Sequence, residues 1–136
     1  MGKKKYVDST EQLVTEIIVR DIRRSTRFYR QLGFRVLHDA GDFVELTWED
    51  HQLYITELSA YREINREEIE LLDPPKFPIA NIRIMVPNVD HYWKQAEEIG
   101  AQVVIPIADR YYGLRDFIIS DPDGFGIRFA TPSQSS

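Results

Sequence analysis

An internal repeat constrains this chain more than any other feature of its sequence. Residues Ile17 to Val36 superpose without a gap on Ile84 to Val103, a shift of 67, matching Ile17 with Ile84, Val19 with Val86, Ile22 with Val89, Gly33 with Gly100 and Val36 with Val103. Self-similarity at a fixed offset means that one supersecondary unit is used twice. In each copy an alternating apolar segment, the pattern of a strand with one buried face, is followed by positions spaced i, i+3, i+7 and i+10. These are Ile22, Ser25, Tyr29 and Leu32 in the first copy and Val89, Tyr92, Ala96 and Ile99 in the second. The spacing predicts two helices that present equivalent faces to their sheets.

Both helices have recognisable ends. Asp21 and Asn88 stand at the N-cap, where a side-chain oxygen accepts from the unpaired N–H groups of the first turn. Gly33 and Gly100 stand where the chain needs a left-handed residue to leave the helix. A short β-branched run follows each glycine, Phe34 to Leu37 and Gln102 to Ile107. Two more strands are predicted in each copy: Phe43 to Trp48 and Leu53 to Leu58, then Arg115 to Ser120 and Phe125 to Ala130. The turns between them are Glu49-Asp50-His51-Gln52 and Asp121-Pro122-Asp123-Gly124, the latter with proline and glycine where a tight turn needs their backbone angles. The repeated unit is therefore βαβββ. The expected layout is a flexible N-terminus over 1–11, a first module over 12–58, a connector over 59–78, a second module over 79–131 and a tail over 132–136, all in one structural domain.

Composition narrows the function. The 136 residues include no cysteine, which excludes a disulfide framework, a thiolate zinc site and a cysteine nucleophile, and makes the cytoplasm the default location. No apolar run approaches the ~18 residues of a membrane span, and Lys3-Lys4-Lys5 leads into no signal-type apolar core. Tyr6 stands where a myristoylation motif needs Ser or Thr. A net charge of −5 argues against nucleic-acid binding, and Arg20, Arg23, Arg24, Arg27 and Arg30 read as the solvated face of the first helix. The three histidines, His38, His51 and His91, are dispersed, and no nucleophile elbow, phosphate loop or His-Glu-x-x-His is present.

The tandem βαβββ units, with R-D-I-R-R-S-T-R-F-Y-R-Q-L-G-F at Arg20 to Phe34 and D-P-D-G-F-G-I-R-F at Asp121 to Phe129, resemble the vicinal-oxygen-chelate superfamily of glyoxalase I, extradiol dioxygenases and bleomycin-resistance proteins. The resemblance implies an α+β fold in which the two modules form a cup-shaped mixed sheet. It also implies four positions for metal ligands in the metal-dependent members, on the first and last strands of each module. Here those positions hold Val14, Asn81, Arg128 and either Thr56, by the repeat register, or Glu57, by the T-E-L-S motif. An apolar side chain, an amide and a cation do not make a divalent-metal site, so no metal and no cofactor are expected.

Within the superfamily, Y-G-L-R-D-F at Tyr112 to Phe117, W-E-D-H-Q-L-Y-I-T at Trp48 to Thr56 and N-V-D-H-Y-W at Asn88 to Trp93 resemble the bleomycin-resistance branch, whose members are dimers that bind a drug reversibly. That implies a ligand-binding homodimer, with Tyr112 and Phe43 as aromatic walls, Trp48 and Tyr54 as further walls or dimer contacts, and Arg115 in the Tyr112 stretch. Strand parity independently sets Glu16, Asn81, Arg83 and Arg128 on the faces away from the helices. Two arginines and a glutamate there suit either an anionic ligand or an internal Arg–Glu network. The leading expectation is a metal-free protein that binds a small organic molecule, an antibiotic among the candidates. The alternative is a divergent metal-dependent lyase or dioxygenase using Glu57.

Overall fold

A computed structural model describes residues 13–60 and 80–134. The chain divides into two compact units, one on each side of residues 61–79. The first contains β1 (Thr15–Val19), α1 (Ile22–Leu32), β2 (Arg35–Asp39), β3 (Phe43–Trp48) and β4 (His51–Glu57). The second contains β5 (Asn81–Met85), α2 (Val89–Glu98), β6 (Gln102–Asp109), β7 (Leu114–Ser120) and β8 (Gly126–Pro132). The sheet orders are β1-β4-β3-β2 and β5-β8-β7-β6, so both units realise the same βαβββ topology. In each, the first strand pairs parallel with the last and the remaining pairs are antiparallel. The result is an α+β fold with two mixed four-stranded sheets, as the repeat predicts.

Each unit buries one face of its sheet under its helix. Ile17 and Val19 on β1, Val44 and Leu46 on β3, and Leu53 and Ile55 on β4 are buried with Ile22, Tyr29 and Leu32 of α1. Their counterparts in the second unit are Ile84, Phe117, Ile119, Ile127 and Phe129, buried with Val89 and Ala96 of α2. The intervening residues of every strand point to the opposite, open face, because side chains alternate along a strand. Register confirms which residues share it: Glu16 pairs with Tyr54 on neighbouring strands, and Arg83 with Arg128.

The helix exits repeat closely. Gly33 and Gly100 both have positive φ, 121° and 70°. In each exit the glycine N–H donates to a carbonyl three residues back, and the next N–H to one five residues back: Phe34 to Tyr29 O at 3.0 Å and Ala101 to Ala96 O at 3.0 Å. This double bond satisfies carbonyls that the helix leaves unpaired. The helix starts differ. The Asp21 carboxylate accepts from Arg23 and Arg24 N–H, as expected, whereas Asn88 occupies the N-cap of α2 without making a side-chain cap bond. Residue type at a cap therefore identified the position of both helix starts and the bonding of only one.

Strand limits differ from the predicted ranges by up to two residues at their ends, except for β3, which matches. The first hairpin closes in two residues, Glu49 and Asp50, with Glu49 at φ 53°. The second is built around the buried Asp121 carboxylate, which accepts from Asp123 N–H and Phe125 N–H, both at 2.8 Å. The expected N-terminal segment over 1–11 and nearly all of the connector over 59–78 lie outside the described residues.

Candidate functional site

The open face of the second sheet holds a polar cluster centred on Asp116 of β7. Asp116 precedes Phe117, whose side chain lies on the helix-covered face, so alternation turns the carboxylate to the open side beside Arg128 of β8. It is only 2% exposed. Arg110 Nε donates to its Oδ1 at 2.7 Å, and the Tyr112 hydroxyl and Arg128 Nε donate to its Oδ2 at 2.6 and 2.9 Å. A terminal nitrogen of Arg128 also donates to Asp116 and to the Tyr112 oxygen, and the Arg128 guanidinium carbon lies 5.2 Å from the Tyr112 ring centroid. Arg110 is itself held by the Pro106 carbonyl.

These bonds set the charge states. Burial on its own would raise the Asp116 carboxyl, but the donors Tyr112, Arg110 and Arg128 outweigh it and hold the group below the usual carboxylate range. The bond to Asp116, with burial adding to it, pushes the Tyr112 phenol above its ordinary value. Burial disfavours the Arg128 charge, yet Asp116 more than compensates and the guanidinium is held more firmly protonated. The cluster is therefore one carboxylate, two guanidiniums and a neutral phenol. It is a preorganised donor surface carrying excess positive charge.

The structure brings Arg128, Tyr112, Arg83 and Asn81 together on the open side of the second unit: Arg83 is the register partner of Arg128, and Asn81 lies two residues away on the same face. In the first unit Phe43, Tyr54 and Glu16 share the open face. Phe43 and Tyr54 meet edge-to-face at 5.3 Å, and Glu16 accepts from Thr56 Oγ1 at 2.7 Å. The partner of Arg128 is thus Asp116, a residue the sequence reading did not single out, and Glu16 bonds a threonine. Arg110 was missed as well. The signal for Asp116 was present in its parity with Ile118, opposite to Phe117 and Ile119; Arg110 sits in a loop and carries no such signal.

Two other sequence candidates sit on the helix side of their sheets. Trp48 shares parity with Val44 and Leu46 and packs against Phe34, with ring centroids 5.2 Å apart, over the α1 exit. A Cβ added at Gly33 would stand 3.0 Å from its ring, so this contact requires glycine there. Arg115 shares parity with Phe117 and pairs with Asp90 at 2.9 Å and Asp109 at 3.6 Å. It lines a cleft of about 670 Å³ at the start of α2.

The four positions where related proteins carry metal ligands do not fit a divalent cation here. Register places Thr56, not Glu57, on the open face of β4, opposite Phe43. Glu57 turns to the helix side, where its carboxylate accepts from Ile22 N–H at 3.3 Å and Ser59 Oγ at 2.9 Å. Arg128 is bound to Asp116, and among the described residues no three His, Cys, Asp or Glu side chains gather as a ligand set. No helix among them is long and apolar enough to cross a membrane.

The family model described as the Glyoxalase/Bleomycin resistance protein/Dioxygenase superfamily matches residues 11–129. The chain belongs to this superfamily. No curated protein matches the chain at a significant level. Among solved structures, a glyoxalase/bleomycin resistance protein/dioxygenase family enzyme from Burkholderia phytofirmans PsJN is 21% identical with a TM-score of 0.75, covering 88% of this chain and 97% of that one. A bleomycin resistance determinant encoded on the transposon Tn5 is 19% identical with a TM-score of 0.64, over 91% and 99% of the two chains. A bleomycin-binding protein complexed with bleomycin is also 19% identical with a TM-score of 0.64, over 90% and 99%. At these identities the likeness is one of fold, and the superfamily fold hosts more than one chemistry.

Proposed function

We propose that this member of the superfamily binds a small organic molecule reversibly and without a metal, on the open faces of its sheets. The observation that carries the reading is the Asp116 cluster: a buried carboxylate that fixes two arginines and a tyrosine on a face the helix leaves uncovered. Holding polar donors in place before a ligand arrives reduces the ordering cost of binding. The donor set at the ligand positions, with Val14, Asn81, Thr56 and Arg128, supports metal-free binding over the lyase or dioxygenase alternative. That two structural neighbours are a bleomycin resistance determinant and a bleomycin-binding protein supports reversible capture as the mode, with an antibiotic as one ligand class.

A homodimer in the cytoplasm is part of the same proposal. Its support is the repeat-equivalent pair Val36 and Val103, each on a strand at the edge of its sheet and 38% and 43% exposed. Apolar side chains on a sheet edge favour a second copy as a cover. Size-exclusion chromatography with light scattering should give twice the 15.9 kDa chain mass. The functional test is elemental analysis of freshly purified, untagged protein beside thermal shifts with Ni²⁺, Mn²⁺, Fe²⁺, Zn²⁺, bleomycin-type drugs and small carboxylates. Absence of stoichiometric metal, with stabilisation by one organic class, is the expected result. Stoichiometric metal, or a metal-induced shift abolished by Glu57→Ala, would overturn it.

A further inference from the structure

Arg83 and Arg128 are direct register neighbours on parallel strands and share one face of the sheet. Like charges in that relation repel and destabilise a sheet unless something neutralises them. Asp116 takes up the charge of Arg128 and of Arg110 through Nε and terminal nitrogens. Among the described residues no carboxylate pairs with Arg83. Asp116 is also the sole carboxylate that the registers of β5, β8, β7 and β6 place on that face, so three arginines stand against one acid. This local excess of positive charge occurs in a chain whose net charge is −5.

Arg128 has small neighbours on its own strand. Along β8 the residues of this face are Gly126, Arg128 and Ala130, so Arg128 is flanked by the two smallest residue types. Gly126 separates Asn81 from Ser120, and Ala130 separates Met85 from Asp116. Arg83 stands across from Arg128 on β5 and is exposed. Apolar surface lies on both sides: Met85 is 46% exposed and Tyr112 44%.

We propose that the exposed β5 edge of this face takes an organic oxyanion, a carboxylate or a phosphate ester, with Arg83 as its charge partner and Asn81 and Arg128 beside it. The planar fork of arginine suits either oxyanion in a bidentate bond. The organic part of the ligand lies against the exposed surfaces of Met85 and Tyr112. Arg83 thereby selects ligand charge, while the Asp116 cluster keeps Arg128 and Tyr112 in position. The inference rests on the binding function proposed above and adds the class of ligand.

The test uses the full chain and four probes: 2-naphthoate, phenyl phosphate, neutral 2-naphthamide and cationic bleomycin, each titrated calorimetrically against the native protein and Arg83→Gln. At least one anionic probe should bind at least about tenfold more tightly than the amide, and Arg83→Gln should remove that preference, the loss expected for a hydrogen-bonded charge. The variant should keep its near-ultraviolet circular dichroism and its urea midpoint, because removing a repelling neighbour does not weaken the sheet. Which anionic probe responds distinguishes carboxylate from phosphate. Binding of the amide as tight as that of both anionic probes, tightest binding of bleomycin, or an anion preference that survives Arg83→Gln would each overturn the oxyanion assignment while leaving the binding function standing. Failure of all four probes to bind would overturn both.

Discussion

One sheet places Phe43 against Tyr54 where the other places Asp116 against Arg128. The positions are equivalent. Phe43 and Tyr54 immediately precede the paired core residues Val44 and Ile55, and Asp116 and Arg128 immediately precede the paired core residues Phe117 and Phe129. The first pair is an edge-to-face aromatic contact; the second is a charge pair reinforced by Arg110 and Tyr112. A βαβββ unit evidently closes with an aromatic pair at this site, so the second unit does not need charges there to fold. A part-buried ion pair contributes less to stability than well-packed apolar groups of similar volume. Its presence on the open face is what the proposed recognition role of this sheet rests on.

The helices show the opposite lesson, because there a difference in sequence leaves function aside and conserves volume. Under α1 a small Ser25 accompanies a large Tyr29, both fully buried. Under α2 the repeat-equivalent residues are a large Tyr92, stacked on Phe129 at 4.8 Å, and a small buried Ala96. At this pair of repeat positions each helix carries one aromatic ring and one small side chain, with the ring one turn apart between the two units.

The largest expected effect comes from breaking that balance. Tyr29→Ala should cost about 4 kcal/mol in urea unfolding, and adding Ser25→Tyr, which imports the second unit's arrangement, should recover part of it. No recovery would mean that the two layers are not interchangeable. Next, Asp116→Ala should cost about 3 kcal/mol, because it strands two part-buried guanidiniums. Asp116→Phe with Arg128→Tyr, which imports the first unit's pair, should be more stable than Asp116→Ala.

The same carboxylate has a pH signature. Its folded pKa lies below the ordinary value of 3.8, so its contribution is complete well above pH 3.8 and is lost as the pH falls through the folded value. Asp116→Asn should remove that part of the acid-side slope. A smaller effect is expected at the helix start, where Glu57→Ala removes an acceptor from Ile22 N–H and should cost about 1 kcal/mol. The equivalent residue of the second unit, Thr131, instead donates to the Val86 carbonyl at 2.8 Å. The smallest effect belongs to the exposed Arg23–Asp39 pair. Arg23 holds the Asp39 carboxyl down at about 2, but the pair is exposed and screened by solvent, so Asp39→Asn should cost little at pH 7, and that small cost should fade as the pH falls from 3.8 through about 2.

Repeat, periodicity and turn residues made the fold legible, because each reports local backbone geometry: Asp21 and Gly33 bound α1, and Asp121 anchors its turn through its own carboxylate. The site was legible only in part. Strand parity placed Glu16, Asn81, Arg83 and Arg128 on open faces, and extending it to Asp116 would have found the center of the cluster. Parity also puts Trp48, read from the sequence as a ligand wall or dimer contact, and Arg115, read as a ligand-binding residue of the Tyr112 stretch, on the helix side. Pairing across strands was harder to read: the partner of Arg128 depends on a diagonal contact between β7 and β8 and on a loop arginine, and neither follows from spacing. The register that chooses Thr56 over Glu57 likewise depends on how β1 meets β4.

The most direct test of the account is to map a bound oxyanion by amide chemical-shift perturbation, titrating isotopically labelled protein with 2-naphthoate and, separately, with phenyl phosphate. The account requires the perturbed residues to cluster at Asn81, Arg83 and Met85 of β5, around Tyr112, and at Arg128 of β8. Perturbations confined to α1 or to the helix side around Arg115, or none at saturating 2-naphthoate and none at saturating phenyl phosphate, would contradict it.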